Sequence, residues 1–381
     1  IYPLMDFATR DWYRRAIEDL HRGSGMEENQ VARHAIEMAM KAGDDSAEDE
    51  RSVHVGTYLI GEKRGNLAQL IGCHESLRFR ALHWAYRHHS AVYFLGIAIL
   101  SAMLISLFVM LGLHAHAPGI MIIIISLLLI PASHLSLEVM NYLVTRLFPP
   151  RVLPKMDFKI SGIPDAYRTL VVVPMMLLDM ETIKTEVEKL EIRYLANKET
   201  NLHFGLFSDY MDAPQAQCES DVILLETVTT YIQALNQRHG DGRFFLFHRE
   251  RKWSESEQKF IGWERKRGKL EELNGLIDGT RSRGVDRLVY VGDPDQLFNV
   301  KFVITLDSDT QLPHDAARRM IETLAHPMNR AQFDGTGYVQ SGYSIIQPRV
   351  SPSLPSTSGS PFSRLFSDLS LIHISEPTRP Y

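Results

Sequence analysis

A chain of 381 residues is long enough for two domains, and with 45% hydrophobic and 23% charged residues it can fill a packed core. A formal net charge of −5 is too mild to point to nucleic acid or to an acidic substrate as a partner. Cys73 and Cys218 are the two cysteines, far apart and in no ligand spacing, which argues against a disulfide scaffold or a zinc site and fits a reducing compartment.

Ile1 to Arg10 do not read as a signal peptide. The missing initial Met sets the expectation that the natural protein begins further upstream. Residues 1–89 read as a helical cytosolic region. Thr9 to Leu20 places Trp12, Ala16, Ile17 and Leu20 on one face at helical spacing. His21 to Gly25 reads as a turn. Glu28 to Lys41 repeats the pattern with Val31, Ala35, Ile36, Met38 and Ala39. Gly43 to Arg51 is acidic and reads as a solvated loop.

Residues 90–138 carry two apolar runs, about 91–113 and 117–137, with no Asp, Glu, Lys or Arg. Each matches the roughly 20 residues that cross a bilayer core. His114 to Gly119 separates them, with Pro118 and Gly119 expected to supply a tight turn. Arg78, Arg80 and Arg87 precede the pair, and Arg146, Arg151 and Lys155 follow it. By the positive-inside rule both flanks are cytosolic, giving a transmembrane hairpin with the lipid bilayer as a partner. A pair of buried helices in a soluble core is the rival reading. It is disfavoured because such helices rarely run this long without a charge.

Residues 156–350 alternate strand and helix patterns. Tyr167 to Leu177 holds the apolar run TLVVVPMML, and Glu181 to Ala196 is helical in spacing. Leu202 to Asp209 is an apolar run ending in an acid. Val222 to Leu235 reads as a helix, Arg243 to His248 as a strand, Lys269 to Ile277 as a helix and Lys301 to Leu306 as a strand. A helix over Asp315 to Ala325 and a strand-like Gly342 to Val350 follow. The alternation predicts an α/β fold with a mostly parallel sheet covered on both faces. Ligands of such sheets bind at the carboxyl ends of the strands. Residues 351–368 are rich in Ser and Pro. Residues 369–381 (LSLIHISEPTRPY) continue no pattern and are expected to be a non-native tail.

Three features carry chemistry. Asp307 and Asp309, in TLDSD, follow the apolar strand FVITL. In an extended chain, residues two apart face the same way, so both carboxylates can converge on one hard cation. Such a cation would act as a Lewis acid on a diphosphate leaving group. An isolated Asp-x-Asp is also common in solvated turns, and its place at the end of a strand favours the metal reading. The second feature is RKRGKLEELN, with Arg265, Lys266, Arg267 and Lys269 around Gly268 just before a helix. That setting suits phosphate oxygens, and a solvated basic loop is the alternative. The third is a pair of acids leaving the first two strands, Asp179 after VVVPMMLL and Asp209 in FSDY. These can hold the ribose or base of a nucleotide, or cap a helix. His203, His248 and His314 read as ordinary polar residues.

Taken in order, the VVVP strand, the acid ending the second strand, GKLEELN, TLDSD and the later IQPR resemble a processive GT-A glycosyltransferase of the cellulose and chitin synthase type. The segments ATRDWYRRAIEDL, HVGTYLIG, TLDSDTQLP and SIIQPRVSPSLPSTSGSPFSRLFS are similar to the cyclic β-1,2-glucan synthases of the NdvB type. That resemblance runs along nearly the whole chain up to Asp368. It implies a GT-A nucleotide-diphospho-sugar transferase domain, UDP-glucose as donor and a growing β-1,2-glucan as acceptor. The product would be a cyclic glucan bound for the periplasm. By match to the family motifs, Asp307 and Asp309 would bind Mg²⁺ or Mn²⁺ and the UDP diphosphate. Lys269 would contact the UDP phosphates and Asp209 the uridine. The location would be a bacterial inner membrane, multi-pass, with the N-terminal region and the transferase domain cytosolic.

The resemblance also implies a much larger protein, with further spans and a phosphorylase-like domain. Inversion from an α-linked donor to a β-linked product needs a general base for the acceptor hydroxyl. The family carries that base in a T-E-D-like motif and holds the acceptor with a Q-x-x-R-W-like one, and neither motif is found in these residues. The chain is therefore expected to be an N-terminal fragment that binds UDP and metal without transferring glucose. The alternatives are another membrane-tethered polysaccharide synthase and a non-catalytic membrane-anchored α/β binding module.

Overall fold

The computed structural model describes residues 1–45, 50–74, 84–112, 118–148, 152–278, 288–297 and 299–348. The chain divides into two compact units. One gathers Ile1–Arg14, Ala42–Thr57 and Pro154–Ile346, and the other Arg15–Lys41, Tyr58–Leu153 and the residues from Gln347 on.

The helical periodicity at the start of the chain produces α1 (Phe7–Ser24) and α2 (Glu28–Asp45). Gly25 ends α1 with a φ of 71°, and its N–H reaches His21 O at 2.8 Å. Only a residue without Cβ takes that left-handed cap cheaply. On α2, Val31, Ala35 and Ala39 are buried at four-residue spacing. Of the acidic loop expected over 43–51, residues 46–49 lie outside the described residues. A short helix, α3 (Arg64–Leu70), buries Leu67 and Ala68.

The two apolar runs form α4 (His89–Gly112) and α5 (Pro118–Leu147). Both are long and apolar enough to cross a membrane by length and composition. On α5 a stripe of Ala132, Ser136 and Met140 is buried, while Leu127 and Ile130 are exposed. A Cβ added at Gly96 of α4 would stand 2.8 Å from Met140 Sδ, so the glycine lets the helices approach. Tyr93 Oη donates to Asn141 Oδ1 at 2.7 Å. Two details differ from the sequence expectation. Pro118 and Gly119 open α5 instead of forming a turn, because the missing N–H of proline costs nothing in a first helical turn. The helix also runs on to Leu147, past Glu138. Residues 113–117 lie outside the described residues.

The other unit is built on a five-stranded sheet, the mixed α/β arrangement expected. Its strands are β1 (Thr169–Leu177), β2 (Leu202–Tyr210), β3 (Phe244–Arg249), β4 (Val289–Val291) and β5 (Phe302–Thr305). Their spatial order is β4-β3-β2-β1-β5. The four strands β3, β2, β1 and β5 run parallel, and β4 pairs antiparallel at the edge. Every residue of β2 and β3 is buried. A sheet covered on both faces removes the alternation of a half-exposed strand, which is why these strands read as unbroken apolar runs.

One face packs under α6 (Met180–Ala196) and α7 (Glu219–His239), through Ile183, Val187, Leu190, Val228 and Ile232. The other carries Leu170, Val172, Phe207, Phe245 and Phe247 against Leu273 and Leu276 of α8 (Arg265–Ile277). Gly205 sits where a Cβ would meet the Phe247 ring at 2.8 Å. Helix α9 (Ala316–Ala325) follows β5.

The strand expected over 342–350 does not form in its described part, 342–348. Gly342 takes a φ of 77° at the end of a short hairpin of Gln332–Phe333 with Val339–Ser341, and that turn breaks the extended chain.

Candidate active site

The strand order fixes where a ligand can sit. From β1 the chain steps outward through β2 and β3, then returns to the opposite side of β1 as β5. The order therefore reverses between β1 and β5, and the carboxyl ends of these strands frame the crevice that such sheets use for ligands. Asp179 leaves β1 there, Asp209 ends β2, and Asp307 and Asp309 follow β5.

The register explains the neighbours of Asp209. It pairs across with Met176 on one side and Arg249 on the other. By the two-residue alternation it shares the face of Phe207, and Arg249 shares the face of Phe247. Helix α8 covers that face, and Lys269 lies four and seven residues before Leu273 and Leu276, on the same buried stripe.

The result is one enclosed carboxylate among three cations. Asp209 Oδ1 lies 2.8 Å from Lys269 Nζ and 3.5 Å from Arg265 Nη1, and Oδ2 lies 3.3 Å from Arg249 Nη2. Lys269 also donates to Met175 O at 2.6 Å. Burial pushes the Lys269 ammonium down to about 8, against the pull of Asp209. Nε and Nη1 of Arg249 are buried without a hydrogen-bond partner among the described residues. Two glycines make room. A Cβ at Gly262 would stand 2.4 Å from Asp209 Oδ2, and one at Gly268 would stand 2.7 Å from Arg249 Nη1.

The four cations of RKRGKLEELN lie within α8, which starts at Arg265 rather than after them. Arg265 bonds Asp212, and Lys266 bonds Asp307. An open recess lined by Lys266, Arg267, Leu270, Glu271 and Asn274 runs along the outer side of this helix.

Asp307 and Asp309 are exposed beside the crevice. Strand β5 stops at Thr305, and a turn closed by Thr310 N to Asp307 O at 3.0 Å holds the acids. Their directions are therefore set by the turn and not by strand alternation. Two exposed carboxylates fit a cation that draws its other ligands from phosphate and water, as Mg²⁺ and Mn²⁺ do. Among the described residues no group of three or more His, Cys, Asp or Glu could hold a metal by itself.

Asp179, which the sequence left open between nucleotide and cap, is the N-cap of α6. It accepts from Thr182 N at 2.7 Å, and that bond holds its carboxyl below the usual range. His248 is buried, with Nδ1 2.9 Å from Ser208 Oγ, and burial lowers it to about 3. His203 Nδ1 meets Gly242 O at 2.7 Å, while His314 is exposed.

Arg193 gave no signal in the sequence beyond sitting on a helix. The residue is 3% exposed, and its guanidinium donates to Ser308 O at 2.8 Å and to Thr310 O at 2.9 and 3.1 Å. Its i+4 spacing from Lys189 suggests a solvated face. No sequence signal marks it, because the burial of Glu186 on the same stripe shows only in the structure.

No protein-family model matches the chain. Over 374 residues, 96% of its length, it is 36% identical to the cyclic beta-(1,2)-glucan synthase NdvB of Rhizobium meliloti (strain 1021). By sequence the chain is similar to one part of a cyclic β-1,2-glucan synthase. It spans 13% of that relative's length, so the activity of the whole synthase does not pass to it directly.

Proposed function

We propose that the chain is the donor-binding part of a membrane-anchored, inverting glycosyltransferase that moves glucose from UDP-glucose to a growing β-1,2-glucan. The observation that carries this reading is Asp307 and Asp309 at the switch point of a parallel sheet, in a chain similar to a glucan synthase. We take the domain to have the GT-A fold.

In this reading the diphosphate lies over the carboxyl ends of β1 and β5. Asp307 and Asp309 hold Mg²⁺ or Mn²⁺, which when bound offsets charge developing on the UDP leaving group. Lys266 gives up Asp307 and turns to the phosphates. Lys269 and Asp209 are enclosed as a pair, so in this reading they meet a phosphate and the uridine only after the pair opens to the crevice. Among the described residues we assign none as general base, and in this reading the chain's contribution to transfer is binding the donor. α4 and α5 anchor it as a hairpin in a bacterial inner membrane, with the basic flanks and the transferase unit on the cytosolic side.

The test is calorimetric binding of UDP to the detergent-solubilised chain with and without Mg²⁺, beside Asp307→Ala and Lys266→Met. Mg²⁺-dependent binding that Asp307→Ala abolishes and Lys266→Met weakens supports the reading. UDP binding that ignores both Mg²⁺ and Asp307→Ala counts against it, and favours a non-catalytic α/β module.

A further inference from the structure

The segment that carries Asp307 and Asp309 is held from outside. Its turn has the one backbone bond from Thr310 N to Asp307 O. Four of its carbonyls are taken by two side chains, Arg193 of α6 and Asn197 at its C-cap. Arg193 bonds Ser308 O and Thr310 O, and one helical turn later Asn197 Nδ2 bonds Leu312 O at 3.2 Å and Pro313 O at 3.1 Å. Asn197 Oδ1 also accepts Ala317 N at 3.1 Å, at the start of α9. The whole passage from the acids to the next helix is therefore clasped to the end of α6.

A guanidinium is an expensive group to bury. Arg193 and Asn197 are each 3% exposed. Among the described residues no carboxylate lies in ion-pair contact with Arg193, and its Nη1 has no hydrogen-bond partner. Its charge is balanced at longer range by Glu186 and Asp309. An apolar side chain would fill the same space without that penalty. The planar fork supplies what an apolar group cannot, namely fixed distances to two carbonyls that bracket Asp309.

We propose that Arg193 is a positioning residue that sets the Asp307–Asp309 turn to receive a divalent cation carried by a nucleoside diphosphate. Asn197 fixes the far end of the same segment. This inference rests on the donor-site reading above. Arg193 touches neither nucleotide nor cation. It acts by holding two carboxylates where their oxygens and those of a phosphate could ligate the same cation, and a shift of about 1 Å is enough to lose that geometry.

The test titrates UDP into the full chain in detergent over a Mg²⁺ series, with the native protein, Arg193→Lys and Arg193→Gln. Each variant is expected to bind UDP without Mg²⁺ as the native chain does. Each should lose at least about ten-fold of the affinity that Mg²⁺ adds, with Arg193→Lys retaining more than Arg193→Gln. Should Arg193→Gln fail to fold, Arg193→Lys and Asn197→Ser carry the comparison. An equal loss of UDP affinity with and without Mg²⁺ marks Arg193 as ordinary packing and overturns the inference. Full retention of the Mg²⁺ response overturns it too, and leaves the donor-site reading standing. A native chain that shows no Mg²⁺ response removes the donor-site reading and this inference together.

Discussion

Lys269 Nζ stands 2.8 Å from Asp209 Oδ1, and both side chains are almost wholly enclosed. A charge pair taken out of water is not a strong stabiliser by itself, but removing one member leaves the other buried and unpaired, at about 3–5 kcal/mol. The two members are not equivalent here. Without Lys269, Asp209 keeps Arg249 and Arg265. Without Asp209, three cations face one another with their shared counter-charge gone.

We therefore expect Asp209→Asn to destabilise the chain by more than Lys269→Met, by about 4 against about 2 kcal/mol in denaturant unfolding. The double variant should lie between them and not at their sum, because the pair is coupled. Equal single losses would show that the arginines do not share the carboxylate, and losses that add in the double variant would show that Lys269 and Asp209 are not coupled.

The glycines of this site make a separate prediction. Gly262 faces Asp209 Oδ2 at 2.4 Å from an added Cβ, while Gly65 near the start of α3 has nothing within 4 Å. Gly262→Ala should cost about 1–3 kcal/mol, since the buried carboxylate cannot retreat from its cations. Gly65→Ala should gain up to about 0.5–1 kcal/mol by reducing backbone freedom in the unfolded chain. Thermal unfolding of the two variants side by side checks both signs, and a stable Gly262→Ala would mean that Asp209 is not held where the structure has it.

The sheet was legible in the sequence because both of its faces are covered, so β1, β2 and β3 appear as apolar runs that end in or beside acids. The pair Asp307 and Asp309 was legible for the same reason, as acids just past FVIT. What surrounds them was harder to see. Lys269 reads as one of four cations near a helix start. Only the stripe it shares with Leu273 and Leu276 tells that it points inward while Lys266 and Arg267 do not. Arg193 and Arg249 form bonds to residues distant in the chain, and no local pattern marks those. The short strand Val289–Val291 is an edge strand of three residues, too brief to show a period. Asp179 was open between two roles because a helix cap and a nucleotide ligand ask for the same residue at the same end of a strand.

The last prediction concerns acid. His54 and His326 meet edge to face with ring centroids 5.1 Å apart. Each Nδ1 accepts a backbone N–H, from Gly56 at 3.1 Å and from Met328 at 3.2 Å, and each Nε2 is buried with no partner among the described residues. Accepting at Nδ1 requires the neutral ring. Burial lowers His54 to about 4 and His326 to about 3, and the proximity of His54 adds to the second. In the unfolded chain both titrate near 6.5, so below that pH the unfolded state takes up protons that the folded state refuses. Stability is therefore complete above about pH 6.5 and falls as pH drops toward about 4, by up to ~1.4 kcal/mol per pH unit for each histidine. His326→Asn keeps a side-chain acceptor for Met328 N–H and does not titrate. Its stability should fall less steeply between about pH 6 and 4.5, by up to ~1.4 kcal/mol per unit, in denaturant melts run across that range. Parallel pH profiles for the native chain and His326→Asn would mean that His326 is charged or solvated in the folded state, contrary to the buried, neutral ring described here.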